Sequence, residues 1–169
     1  MEHGQGAGDV IVTPRLTITR QTPKDAQALH AIMSHWDVVR MTGTWPHPVS
    51  LAFVRERIGS RMDEEGFFGI VRDGGLPVGT GQFAKGEIGY LLAPSHWGRG
   101  LGTEVARALV SYGFETSGCH EIRAKVWSDN PASSRILAKL GFRETERTLD
   151  ENRARQTRLT TIHYSLPRP

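Results

Sequence analysis

Apolar and polar residues alternate at both ends of this chain and recur at helical spacing between them. Leu16 and Ile18 are interleaved with Thr17 and Thr19, the period of a strand. Thr22-Pro23-Lys24-Asp25 then joins a capping threonine, a proline at the first helical position and an acid in the first turn. Ala26, Leu29, Ile32 and Met33 give that helix its apolar face. From Trp36 to Ser50 the period is lost among Gly43, Pro46 and Pro48, which predicts a segment that is mostly loop. Ser50 caps a second predicted helix carrying Phe53, Val54 and Ile58. Phe67 to Val71 and Val78 to Phe83 flank a turn at Asp73-Gly74-Gly75 and read as a β-hairpin. Glu87 to Leu92 is a third consecutive strand, with Ile88, Tyr90 and Leu92 on one face. Leu101, Val105, Ala108, Leu109 and Tyr112 fall on one helical stripe. Ile122, Ala124 and Val126 alternate as a strand, and Pro131 to Leu140 is a helix with Ile136, Leu137 and Leu140 inward. Thr160, Ile162, Tyr164 and Leu166 alternate with polar residues in a closing strand.

This order predicts an α/β (mixed α+β) fold: a central mixed, mostly antiparallel sheet with helices on both faces. Three adjoining strands without intervening helices argue against a doubly wound parallel sheet. The length of 169 residues suits one domain, read as residues 11–169 behind a flexible N-terminal tail at residues 1–10. Hydrophobic residues make up 38% and charged residues 23%, which excludes a disordered chain.

The lone cysteine, Cys119, permits no internal disulfide and suits a reducing, cytoplasmic setting. It has no activating motif and reads as an inert helix-end residue. The first residues carry no apolar stretch of the kind a secretory signal needs, and no run is long enough to span a bilayer. A net charge of +3 is too small and too dispersed for a nucleic-acid binder. The basic cluster Arg153, Arg155 and Arg158 reads as a solvated turn. His30 and His35 lack the spacing of a helical metal pair, so no metal is expected.

The most informative stretch runs from Glu87 to Thr103: a strand, a turn with Gly98, Gly100 and Gly102, and at once an amphipathic helix. The first amides of a helix lack intrahelical partners and sit at the positive end of its dipole. Glycines let an anion approach that backbone, so a pyrophosphate fits this junction. Thr103 adds a hydroxyl and Arg99 a charge. The spacing is G-x-G-x-G in mid-chain, neither the dinucleotide fingerprint nor a nucleoside-triphosphate loop with its lysine.

A second segment, Ser128 to Phe142, follows the next strand. Together the two resemble the GNAT superfamily of N-acetyltransferases. Arg99, Gly100, Leu101 and Gly102 match its Q/R-x-x-G-x-G/A loop; Asn130, Ser133, Lys139, Gly141 and Phe142 match its N-x-x-S…K-x-G-F pattern. Glu87-Ile88-Gly89-Tyr90 and Trp97-Gly98-Arg99-Gly100 are similar to the ribosomal-protein-alanine N-acetyltransferase-like branch. The resemblance implies an acetyl-CoA-dependent transferase that moves acetyl onto a primary amine in a ternary complex. The acceptor is then a protein N-terminal α-amine or a small-molecule amine.

By the same resemblance the pantetheine arm inserts beside Leu91 and Leu92, with the thioester carbonyl near the Leu92 amide. The pyrophosphate lies on amides from Gly98 to Thr103. Asn130 contacts the cofactor or caps its helix. Ser133 lies at the cofactor and protonates the thiolate, and Glu87 is the candidate general base. The tyrosine that often serves as general acid would fall at Leu137, where this chain cannot use one. The Trp36–Ser50 loop reads as the acceptor gate, with Trp36, Trp45 and His47 lining it or packing on the core. A non-catalytic acyl-CoA-binding module stands as the alternative reading, and the oligomeric state is open, a homodimer included.

Overall fold

The computed structural model describes residues 10–169. The tail read at residues 1–10 lies outside the described residues up to Asp9. Val10, the last residue read as tail, belongs to the first strand.

Among the described residues eight strands form one sheet: β1 (Val10–Val12), β2 (Thr17–Arg20), β3 (Phe67–Asp73), β4 (Leu76–Ala84), β5 (Glu87–Leu92), β6 (Glu121–Trp127), β7 (Arg143–Asn152) and β8 (Thr157–Pro167), in the spatial order β1-β2-β3-β4-β5-β6-β8-β7. All neighbours are antiparallel except β5 and β6. The helices are α1 (Ala26–Met33), α2 (Trp36–Val39), α3 (Leu51–Met62), α4 (Leu101–Ser117) and α5 (Pro131–Lys139).

The predicted start at Thr22 holds: the Thr22 amide donates to Asp25 Oδ2 at 2.8 Å, and Pro23–Asp25 forms a 3-10 turn leading into α1. Ser50 caps α3 by accepting from the Phe53 amide at 3.1 Å. The Trp36–Ser50 segment is loop except for α2, a single turn that buries Val38 and Val39.

Two apolar clusters flank the sheet. Ile18, Phe67, Val71, Phe83, Ile88 and Leu92 pack against Leu101, Val105 and Leu109 of α4 and Leu137 of α5. On the other face Leu29, Met33, Val54 and Ile58 of α1 and α3 pack with Val38, Val39 and Val49, touching Leu91 and Ala93. Period-two alternation along β5 therefore sends Ile88, Tyr90 and Leu92 to the α4 face, and Glu87, Gly89 and Leu91 to the α1/α3 face.

β7 carries no apolar alternation and is almost wholly exposed. Its neighbour β8 imposes it, pairing from Arg143↔Ser165 to Asn152↔Thr157. In the turn it makes with β8, Arg153 and Arg158 are exposed, as expected of a solvated cluster, but Arg155 is not. Arg155 Nε donates to the Arg40 carbonyl at 2.8 Å and its terminal nitrogens pair with Asp129; Arg153 lies over the Phe53 ring at 5.2 Å. Arg158 alone of the three bonds only its own hairpin, at the Leu149 carbonyl.

A candidate acetyl-transfer site at the splayed strands

β5 and β6 meet at one register position, Glu87↔Arg123, where the Arg123 amide donates to the Gly86 carbonyl at 2.8 Å. Beyond it they diverge. The β4–β5 hairpin closes at Ala84↔Glu87, and the Ala93 amide donates to the Val78 carbonyl at 2.7 Å. The antiparallel alternation between these ends turns the backbone groups of Glu87, Gly89 and Leu91 toward β4. Those of Tyr90 and Leu92 face the gap, where β6 pairs with neither. Trp97 Nε1 takes the Leu92 carbonyl at 2.8 Å, so the Leu92 amide is the group left facing the opening. Such an edge accepts an extended chain as a sheet accepts another strand.

The opening leads to the glycine turn. Gly98 and Gly100 have φ of 71° and 75°, a left-handed conformation that side chains disfavour. Gly100 is the residue before α4, so the Leu101, Gly102 and Thr103 amides project without helical partners. Gly102 has another reason: a Cβ there would lie 2.9 Å from Ile136 Cδ1, so its smallness seats α5 against α4.

Arg15 and Glu104, which the motif reading missed, brace this turn. Buried Glu104 accepts from Thr13 Oγ1 at 2.6 Å, from the Arg15 amide at 2.7 Å and from Arg15 Nε at 2.7 Å. Burial pushes the Glu104 carboxyl up, but the Thr13 and Arg15 hydrogen bonds and the Arg15 charge outweigh it and hold it below the usual carboxylate range. The same guanidinium donates to the Arg99 carbonyl at 2.8 Å. Arg99 itself is exposed beside it. No local pattern marks Arg15 or Glu104, because they meet only across 89 positions of chain.

On the α4 face of the gap, Asn130 Oδ1 accepts from the Ser133 amide at 3.2 Å, capping α5. Ser133 Oγ lies 3.0 Å from the Tyr90 hydroxyl. Burial pushes Tyr90 up to about 12, with the Ser133 hydrogen bond opposing, so the phenol stays neutral near pH 7. The sequence placed Tyr90 on this face without a partner. Leu137, at the position where relatives carry tyrosine, is fully buried in the core.

The other face holds Glu87, whose carboxylate lies 3.4 Å from Lys125 Nζ and is one-third exposed. Of the loop residues, Trp45 lines a cavity of about 50 Å³ with Leu91, Thr80, Gln82, Arg57 and Arg61. Trp36 and His47 have ring centroids 4.9 Å apart, tilted by 57°, and are exposed and outside that lining. Residues 40–44 are anchored: Asn152 Nδ2 donates to the Arg40 and Thr42 carbonyls, and Trp127 Nε1 to the Thr42 carbonyl at 3.2 Å. Among the described residues no group of His, Cys, Asp and Glu side chains could hold a metal ion, and no helix is long and apolar enough to cross a membrane.

Comparison with known proteins agrees with this geometry. The model of the acetyltransferase (GNAT) domain matches residues 15–143. The uncharacterized N-acetyltransferase YoaA of Bacillus subtilis is 32% identical over 150 residues, covering 80% of this chain and 83% of its own. The uncharacterized N-acetyltransferase p20 of Bacillus licheniformis is 28% identical, covering 94% and 96%. Among solved structures, the ribosomal L7/L12 α-N-protein acetyltransferase RimL in complex with coenzyme A superposes with a TM-score of 0.81 at 16% identity, covering 94% of this chain and 98% of that one; the likeness is one of fold. A splayed parallel pair beside a left-handed glycine turn, within a match that spans most of the sequence, marks this chain as a member of the GNAT acetyltransferase family and an acyltransferase.

Proposed function

We propose that this enzyme transfers acetyl from acetyl-CoA to a primary amine by direct attack in a ternary complex, in the cytoplasm. The observation that carries the reading is the gap beyond Glu87↔Arg123, with backbone groups of Tyr90 and Leu92 turned into it and free helix amides at its mouth. The diphosphate lies on the amides of residues 98–103, with Arg99 and the Thr103 hydroxyl adding contacts. The pantetheine arm follows Leu91 and Leu92 past Asn130, and the thioester oxygen meets the Leu92 amide.

Coenzyme and amine reach the thioester from opposite faces. An ammonium has no lone pair, so the acceptor loses a proton first, to Glu87 directly or through water. The nitrogen then attacks the carbonyl carbon, and the π electrons move to an oxygen held by a backbone N–H. The oxyanion then re-forms the carbonyl as the carbon–sulfur bond breaks; the electron pair leaves on sulfur, which takes the Ser133 hydroxyl proton, and the second proton, shed by the acetylated nitrogen, restores the serine through solvent. Tyr90, neutral and hydrogen-bonded to Ser133, fixes the direction of that hydroxyl. The second reading, a passive acyl-CoA-binding module, shares the coenzyme site but needs no such pair.

Acetyl-CoA should raise the thermal midpoint with the logarithm of its concentration, and NAD should not. Release of free CoA on addition of an amine then separates transfer from passive binding. Glu87→Gln should lower kcat by roughly 10²-fold or more while the acetyl-CoA midpoint shift persists. Wild-type rates across the pH range in that variant would remove Glu87 from the mechanism.

A further inference from the structure

Three arginines gather on the acceptor face around three aromatic rings. Arg57 lies 4.7 Å from the Trp45 ring and 5.9 Å from Phe53, and Arg153 lies 5.2 Å from Phe53. Arg61 lies 4.4 Å from Phe68 and is paired with Glu64 at 2.6 Å. Arg57 has no carboxylate partner among the described residues; its hydrogen bond goes to Thr44 Oγ1, at 2.7 Å. Burial first, then the charges of Arg61 and Arg153, push Arg57 down to about 10 against the single opposing charge of Glu64. It therefore remains a cation at neutral pH, half-buried and in ion-pair contact with no carboxylate among the described residues.

Burying a guanidinium costs free energy unless an anion meets it. Five N–H donors in a planar fork match a carboxylate in two parallel hydrogen bonds. Arg57 and Arg61 line the cavity of about 50 Å³, whose lining also includes Leu91 of β5, the strand that forms the proposed thioester edge. Gln21, Thr80 and Gln82 add polar groups to the same lining, and Trp45 supplies a flat wall. The space suits a group of carboxylate size. Excess positive charge repels a substrate that carries several ammonium groups.

From this we infer that the acceptor is an amine bearing a carboxylate, seated with that carboxylate on Arg57 and its nitrogen directed past Leu91 to the thioester. The inference rests on the acetyl-transfer reading above and narrows it to amino acids, their analogues, or peptides with an acidic side chain near the N-terminus. Polyamines and aminated sugars fall outside it.

The test is CoA release from acetyl-CoA with matched acceptors: α-amino acids, the same compounds as α-carboxamides, spermidine, and C-terminally amidated dipeptides ending in Glu or Gln. The acids should exceed their carboxamides by roughly tenfold or more in kcat/KM. A preference among free amino acids identifies the main-chain carboxylate as the ligand, and one confined to the Glu over the Gln dipeptide identifies a side chain. Arg57→Gln should abolish the preference through KM and leave the acetyl-CoA midpoint shift in place; Arg57→Lys, which keeps charge and loses the fork, should fall between.

No preference for the acid over its carboxamide in either matched set, or spermidine equal to or better than the acids, overturns the inference and leaves acetyl transfer standing. So does an acid preference that survives Arg57→Gln in folded protein. Failure of acetyl-CoA to bind, or of every amine to release CoA, defeats acetyl transfer itself, and the inference falls with it. The wild-type panel decides even where a variant fails to fold.

Discussion

At the scale of single residues, the decisive contacts join side chains that the chain keeps far apart. Tyr90 and Ser133 come from a strand and a helix 43 positions apart and meet at 3.0 Å in the gap. Tyr90→Phe removes the partner of Ser133 without changing the shape of the buried ring. It should lower kcat by roughly tenfold with acetyl-CoA affinity unchanged, a loss on the scale of one hydrogen bond. Single-turnover kinetics checks it, and a loss confined to KM would assign Tyr90 to packing alone.

Glu104 makes a different prediction. Its folded carboxyl sits below its ordinary value of 4.5, so the stability it adds is fully present above that value and disappears as pH falls through the folded value. Glu104→Gln should cost about 1–3 kcal/mol at pH 7, and the gap to wild type should close in acid. Denaturant titrations at pH 7 and below pH 4 read both.

At the scale of elements, the turn between β5 and α4 couples conformation to binding. Gly100, at φ 75°, is the left-handed residue from which the free amides of α4 project. Gly100→Ala forces a Cβ into that conformation and should cost about 1 kcal/mol of stability. It should weaken acetyl-CoA further, since the amides of residues 101–103 shift with the turn. Calorimetric titration with acetyl-CoA separates the two effects. The strands and helices flanking this turn were legible from periodicity, and the turn itself from its glycines. Gly102 was legible only as a glycine: its packing against Ile136 depends on where α5 lies. β7 was illegible for the same kind of reason, since its own residues are polar and exposed and pairing with β8 makes it a strand.

At the scale of the molecule, the β7–β8 hairpin holds residues 40–44, part of the segment proposed as the acceptor gate. Asn152 is 1% exposed, and its amide bonds the Arg40 and Thr42 carbonyls while its oxygen accepts from the Arg155 amide. A buried asparagine so fully bonded is costly to remove. Asn152→Ala should destabilise by about 1–3 kcal/mol and release residues 40–44, raising the acceptor's KM more than that of acetyl-CoA. Initial-rate kinetics with each substrate varied in turn measures the contrast.

The sequence by itself determined the elements with strong period, the mixed sheet, the glycine turn and the pairing of motifs that marks the family, because these are local or written at fixed spacing. Tertiary structure alone decided that β5 and β6 part after one register position, that Tyr90 meets Ser133, that Glu104 holds Arg15 against the turn, and that Arg57 is half-buried and bonds Thr44 rather than a carboxylate. Each of those depends on distances between segments brought together only by the collapse of two apolar clusters onto opposite faces of one sheet. No local pattern encodes the separation of two side chains when the core between them sets it.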